Sequence, residues 1–199
     1  LAGLIDDSAS GQAARLFLDA LPPLDVTPDR AALDRFADTL TAVHARAEHW
    51  ELKETGWKAL APGLETTLRE ARKRMERARR TRDDEHLHAW RSRIKHHWYH
   101  ARLLLPIWPE MIEAHSAIAE RLGEMLGDHH DLYVIELALP GPLSPAQSDA
   151  LAERLEVEQR GIEAAAFPLG ARLLAEPPEA LSARWGDWHA LWRAETKHG

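Results

Sequence analysis

Apolar residues recur every three or four positions along most of the chain. That is the roughly 3.6-residue repeat of helices buried on one side. Leu33, Phe36, Ala37, Leu40, Val43, His44 and Ala47 form one such stripe, and Leu64, Leu68, Ala71, Met75 and Ala78 form another. Leu87, Trp90, Ile94, Trp98, Ala101 and Leu105 make a third, and Leu181, Trp185, Trp188 and Trp192 a fourth. Sustained alternation is missing and β-branched residues are few, so no strand is predicted. The pattern predicts an all-α helical bundle.

Punctuation divides the stripes into elements. Pro22-Pro23 ends a first helix within Leu1 to Leu21. Thr27-Pro28 reads as an N-cap with proline at the first helical position, opening a helix to about Trp50. Pro62-Gly63 marks the start, or a kink, of the next. Asp83-Asp84-Glu85 places carboxylates in the first turn of a helix reaching Leu105, where the macrodipole favours them. A helix over Met111 to Leu126 is interrupted at Gly127, with a shorter one over Asp131 to Leu139. Pro140-Gly141-Pro142 is a loop, and Ser144-Pro145 opens a helix to about Ala166.

Length and composition narrow the class. A chain of 199 residues, 45% hydrophobic, suits one domain with a sizeable core. It has no cysteine, which excludes disulfides, zinc–thiolate sites and a thiol nucleophile, and suits a reducing compartment. The expected location is the cytoplasm. The apolar run Ala101 to Trp108 is broken by Arg102 and Pro106, so no membrane partner is expected. Most of the eight tryptophans are expected to anchor helix packing. Leu1 is no natural start, so the chain is expected to begin inside a longer protein.

Charge changes the picture most. The net charge of −7 argues against an anionic ligand. Between Arg69 and Arg102, however, 12 basic residues stand against 5 acidic ones, a local +7 that leaves −14 elsewhere. Such asymmetry points to an anionic partner met by one part of the surface. On a helix over 87–105, His88, Arg91, Lys95, Tyr99 and Arg102 fall beside the apolar stripe with no carboxylate among them. Arg69, Arg72, Lys73 and Arg80 share a face of the preceding helix. Packed antiparallel, the two stripes are expected to flank one basic groove. Arginine forks and a lysine point charge suit phosphate oxygens.

Three segments carry a family resemblance. They are Gly63-Leu64 to Leu68 and Arg72; His88-x-x-Arg91-x-x-x-Lys95-x-x-Trp98-Tyr99; and Leu126-Gly-Asp-His-His-Asp-Leu132, with Trp108-Pro109 before the last. From Gly63 to about Leu132 the chain resembles the C-terminal half of a CHAD domain, the conserved-histidine α-helical domain. The resemblance implies two pseudo-symmetric helical halves around a basic channel that binds inorganic polyphosphate without catalysis. Arg72, His88, Arg91, Lys95 and Tyr99 would line the channel, with Arg69, Lys73 and Arg102 joining from the same faces. Asp128, His130 and Asp131 would hold those side chains in place. Leu68 stands where the family often has tyrosine. Nothing before Arg69 supplies a first His-x-x-Arg helix. Residues 1–62 are therefore expected to be a remnant of the first half and 63–199 the second, with a homodimer possible if the first half is absent. Association with polyphosphate granules is a further expectation.

Rival chemistries have weaker signals. The chain has 12 histidines, and His129-His130-Asp131 contains the His-Asp pair of helical metal-dependent phosphohydrolases. His96 and His100, four apart, are spaced to chelate together. No His-x-x-x-His encloses the glutamate of a zinc protease, and no metal or cofactor is expected. His44, His115 and His189 read as core or surface residues. Nucleic acid would need aromatics beside the basic stripe, yet Trp90 and Trp98 fall on the apolar one. Docking of an acidic protein segment is the remaining alternative.

Overall fold

The computed structural model describes residues 4–22, 29–51, 53–139 and 143–196. Among the described residues there are seven α-helices and no strand. They are α1 (Ala9–Ala20), α2 (Arg30–Ala47), α3 (Trp57–Thr81), α4 (Asp84–Leu104), α5 (Pro109–Ala138), α6 (Pro145–Leu173) and α7 (Pro178–Thr196). A 3₁₀ turn, Leu105–Ile107, links α4 to α5. None of these helices is long and apolar enough to cross a membrane.

Local chemistry sets several ends. The Ser8 hydroxyl accepts from Gly11 N–H at the start of α1, and Asp83 accepts from His86 N–H at the start of α4. Ser144 and Gln147 form a reciprocal capping box on α6. The expected cap at Thr27-Pro28 lies outside the described residues; Asp29 caps α2 by accepting from Ala32 N–H. Between α3 and α4 only Arg82 and Asp83 intervene. Arg82 closes α3 in the left-handed region at φ 55°, a conformation unfavourable for a side chain larger than glycine. Its own side chain holds it there, pairing with Glu163 and lying 4.7 Å from the centre of the Phe167 ring.

Two helices run further than their sequence signals suggest. Gly127 does not interrupt α5, which is continuous from Pro109 to Ala138. A single glycine costs only about 1 kcal/mol in a helix, and the surrounding burial exceeds that. Likewise α6 continues past Ala166 to Leu173 with Pro168 inside it.

α5 packs along both α4 and α6, α3 lies against α4 and α7, and α1 packs on α6. The main core joins α3, α4, α5, the end of α6 and α7, with Trp90, Ile94, Ile112, Leu122 and Trp185 all but inaccessible. A smaller core unites Leu4, Ala13, Ala14 and Phe17 with Leu139, Leu151 and Leu155. α2 differs. Its apolar stripe forms a helix as expected, but Leu33, Phe36 and Leu40 are exposed and α2 packs on no other described helix.

Two histidines meet at the core. His97 and His115 share an Nε2···Nε2 hydrogen bond of 2.7 Å beside Trp185. One ring must donate and the other accept, so the pair cannot be doubly protonated. Burial, then the neighbouring His115 and His100, pushes His97 down from 6.5 to about 3. Burial, then Arg184, pushes His115 down from 6.5 to about 4.

Two outcomes follow from the core. The unfolded chain takes up protons at these histidines as pH falls through 6.5, while the folded core resists until about 4 and about 3. Stability is therefore retained above 6.5 and lost as pH drops below it, by on the order of 1 kcal/mol per pH unit for each histidine. Urea midpoints from pH 7.5 downward measure this, and a flat profile to pH 4.5 would contradict it. At Gly170, an added Cβ would overlap the Trp90 ring and stand 3.1 Å from Met75 Sδ. Gly170→Ala is expected to cost about 1–3 kcal/mol despite the better helix former, read as a lower melting temperature.

Candidate anion-binding site

α4 turns its basic stripe toward α5. Arg91 and Lys95 lie over a row of small residues on α5, namely Ala119, Gly123 and Gly127, spaced four apart. A Cβ at Gly123 would be 3.7 Å from Lys95 Cγ, and one at Gly127 would be 3.1 Å from Arg91 Nε. The two side chains open onto a cavity of about 200 Å³, lined also by Trp98, Ala119, Gly123, Glu120 and Glu124. Arg91 Nε is buried and has no hydrogen-bond partner among the described residues. No described carboxylate lies within ion-pair distance of Arg91 or Lys95.

His88 sits one turn before Arg91 and meets His130 of α5, ring centres 4.5 Å apart. Burial, followed by the neighbouring His130 and Arg91, lowers the His88 pKa from its ordinary value. Near the other end, the Arg102 guanidinium lies 4.9 Å from the centre of the Trp98 ring. Tyr99 is about half exposed and also packs on Trp98. His88, Arg91, Lys95 and His130 are thus brought together, with Tyr99 and Arg102 continuing along the same helix.

The α3 side of the expected groove is placed differently. Arg72 does not join the α4 stripe. Its Nε donates to Leu174 O at 2.7 Å, and its Nη2 donates to Ala175 O at 2.9 Å and Glu176 O at 2.7 Å. Carbonyls at the end of a helix lack intrahelical donors, and a guanidinium fork satisfies them. Arg69 is likewise drawn to α7, where it pairs with Glu179 at 2.6 Å. The arginines therefore secure α6 and α7, and the pairing of two basic stripes across one α3–α4 groove is corrected. Lys73 remains exposed on the outer face of α3.

The Asp-His-His-Asp segment also divides. His130 lies against His88, in a ring contact without a hydrogen bond. Asp128 and Asp131 do not support His88 or the arginines; they line a separate cavity with Leu4, Ile135, Glu158 and Ile162. His129 points inward. Its Nε2 lies 3.3 Å from Glu163 Oε1 and its Nδ1 3.4 Å from Asp84 Oδ1. Glu163 pairs in turn with Arg82. Burial raises the Asp84 pKa, opposed by His129. Among the described residues no group of three or more His, Asp or Glu side chains is arranged to hold a metal ion. His96 Nδ1 lies 3.4 Å from Arg93 Nη1.

Sequence reasoning missed Glu120 and Glu124, because the carboxylates facing Lys95 and Arg91 come from another helix. It also read Gly127 as a breaker. The signal was present in Ala119-x-x-x-Gly123-x-x-x-Gly127, a row of small residues at helical spacing.

The CHAD domain family model matches residues 7–140, about two thirds of the chain. The chain belongs to the CHAD domain family. The match begins well before Gly63, so the likeness is not confined to a C-terminal half. No curated protein and no solved structure matches the chain.

Arg72→Ala is expected to destabilise the bundle by about 1–3 kcal/mol, since it leaves three carbonyls unpaired. Arg72→Lys should recover only part, because an ammonium lacks the fork. Denaturant unfolding of the variants measures both.

Proposed function

We propose that the chain binds inorganic polyphosphate without chemical turnover, in the α4–α5 groove. The observation that carries this reading is the half-buried pair Arg91 and Lys95, lining one cavity with no compensating ion pair among the described residues. Two like charges held together cost free energy until an anion neutralises them. Membership of the CHAD family, associated with polyphosphate binding, supports the same ligand.

In this reading Arg91 offers a planar donor fork to phosphate oxygens and Lys95 a mobile point charge. His88 and His130 add donors at one end, and Arg102 and Tyr99 at the other. Lys73, on the outer face of α3, contributes to the long-range field. Glu120 and Glu124 oppose it at the rim. Arg69 and Arg72 act through the scaffold, since their guanidinium groups are already engaged.

Binding is expected to weaken steeply between about 50 mM and about 200 mM salt, because neutralised phosphates release counterions. The double variant Arg91→Ala, Lys95→Ala should bind long-chain polyphosphate at least about tenfold more weakly. Equal affinity of variant and wild type would remove the site assignment. Equal competition by single-stranded DNA would favour a general polyanion surface instead.

A proton linkage belongs to the same site. His88 is held below its ordinary pKa in the free protein, and a bound anion favours its charged form. Affinity should therefore rise as pH falls from about 7.5 to about 6, with proton uptake on binding. Calorimetry in buffers of different ionisation enthalpy measures that uptake, and its absence would exclude His88 from the contact.

A further inference from the structure

We infer that Gly127 is a positioning residue of the anion site, leaving the space in which the Arg91 guanidinium rests against α5. The inference depends on the polyphosphate reading of that site.

Glycine is the poorest helix former after proline, so each one inside a helix asks for a reason. The helical glycines fall into different surroundings. Gly63 and Gly161 face open space, where an added Cβ meets nothing within 4 Å. Gly170 and Gly186 face aromatic rings, Trp90 and Trp57, and serve packing. At Gly123 a Cβ would make only ordinary contacts, 3.7 Å to Lys95 Cγ and 3.9 Å to Ile94 Cγ2.

Gly11 is crowded by the Asp6 carboxylate and backbone at the start of α1, and among the described helical glycines Gly127 alone faces a basic head group. A Cβ there would stand 3.1 Å from Arg91 Nε, 3.2 Å from Nη2 and 3.6 Å from Cζ. The first two distances are tighter than ordinary contact, so the guanidinium must give by a few tenths of an ångström. The head is the far end of a flexible side chain, so it can move while the backbone stays. The same Nε is buried against α5 and unpartnered among the described residues. The orientation of Arg91 is thus set by the shape of α5 rather than by a hydrogen bond to it.

A substitution at this position has opposite effects on two observables. Alanine improves the helix and displaces the arginine. In the full chain, Gly127→Ala and the control Gly161→Ala are both expected to melt at or above the wild-type temperature. Only Gly127→Ala should bind polyphosphate more weakly, by about tenfold, the scale of a charge-assisted contact. In an Arg91→Ala background Gly127→Ala should add no further loss, as required of residues acting as one unit. In the nitrogen-15 spectrum, the Arg91 Nε proton should exchange slowly in wild type and quickly in Gly127→Ala.

Wild-type affinity of Gly127→Ala overturns the positioning role. So does a melting temperature several degrees lower, which would assign the glycine to backbone packing. A failure of Arg91→Ala to weaken binding overturns the polyphosphate site itself. In that case altered Nε exchange in Gly127→Ala still shows whether the glycine sets the arginine's position.

Discussion

The close approach of α5 to α4 is the constraint around which the bundle is arranged. α4 lies between α3 and α5 and buries Leu87, Trp90, Ile94, His97, Ala101 and Leu104 on one face. Arg91 and Lys95 stand at the edge of that face, over Ala119, Gly123 and Gly127 of α5. An added Cβ would make ordinary contacts at Gly123 and would crowd the Arg91 head group at Gly127. The two glycines cost about 1 kcal/mol each in helix propensity. Burial of Ile112, Leu122 and Leu126 on the same helix outweighs that, each worth about 1.5–3 kcal/mol. One arrangement therefore serves both packing and charge. It closes the core and leaves two long basic side chains held along a shallow cavity.

The other end of the seam is held electrostatically. Asp84 at the start of α4, His129 in α5, Glu163 in α6 and Arg82 after α3 meet in a single network. Paired charges in a partly buried setting contribute little net stability compared with apolar packing, but they specify geometry because a misplaced partner is costly. Arg82 shows this, since its left-handed backbone is unfavourable by itself and its guanidinium is anchored between Glu163 and the Phe167 ring. The network fixes the rotation of α5. With His129 inward, the next residue, His130, is directed to His88 and the basic stripe of α4.

The helices and their stripes were legible in the sequence because their apolar period is local. So was the α4 basic stripe, a property of one helix. What required the fold was the identity of each stripe's neighbour. Arg72 and Arg91 look alike along the chain. One meets the carbonyl end of α6 and the other meets a glycine on α5. Glu120 and Glu124 were hidden for the same reason, since no spacing within α4 reveals carboxylates brought across from α5. Asp128 and Asp131 flank the two histidines in sequence, yet a helix turns adjacent residues about 100° apart, which sends them to another cavity. α2 is the reverse case. Its stripe predicts a helix, and helix it is, but periodicity does not say what covers it.

The acidic character of the whole chain bears on what this site can accept. Charges more than about 8–10 Å apart in solution are largely screened at physiological salt, so a ligand in the groove responds to Arg91 and Lys95 rather than to the total of −7. Glu120 and Glu124 lie inside that range. Before binding they relieve part of the repulsion between the two cations. On the polyphosphate reading they then oppose the ligand at the rim and limit how broad a band of negative charge can approach. A duplex carries phosphates on both sides of a wide cylinder and would press some of them onto those carboxylates. A single phosphate chain can follow the line from His88 through Arg91 and Lys95 toward Arg102 and keep its charge on the α4 side. On that reading the two carboxylates would act as a filter on ligand width, and the basic stripe would supply the attraction.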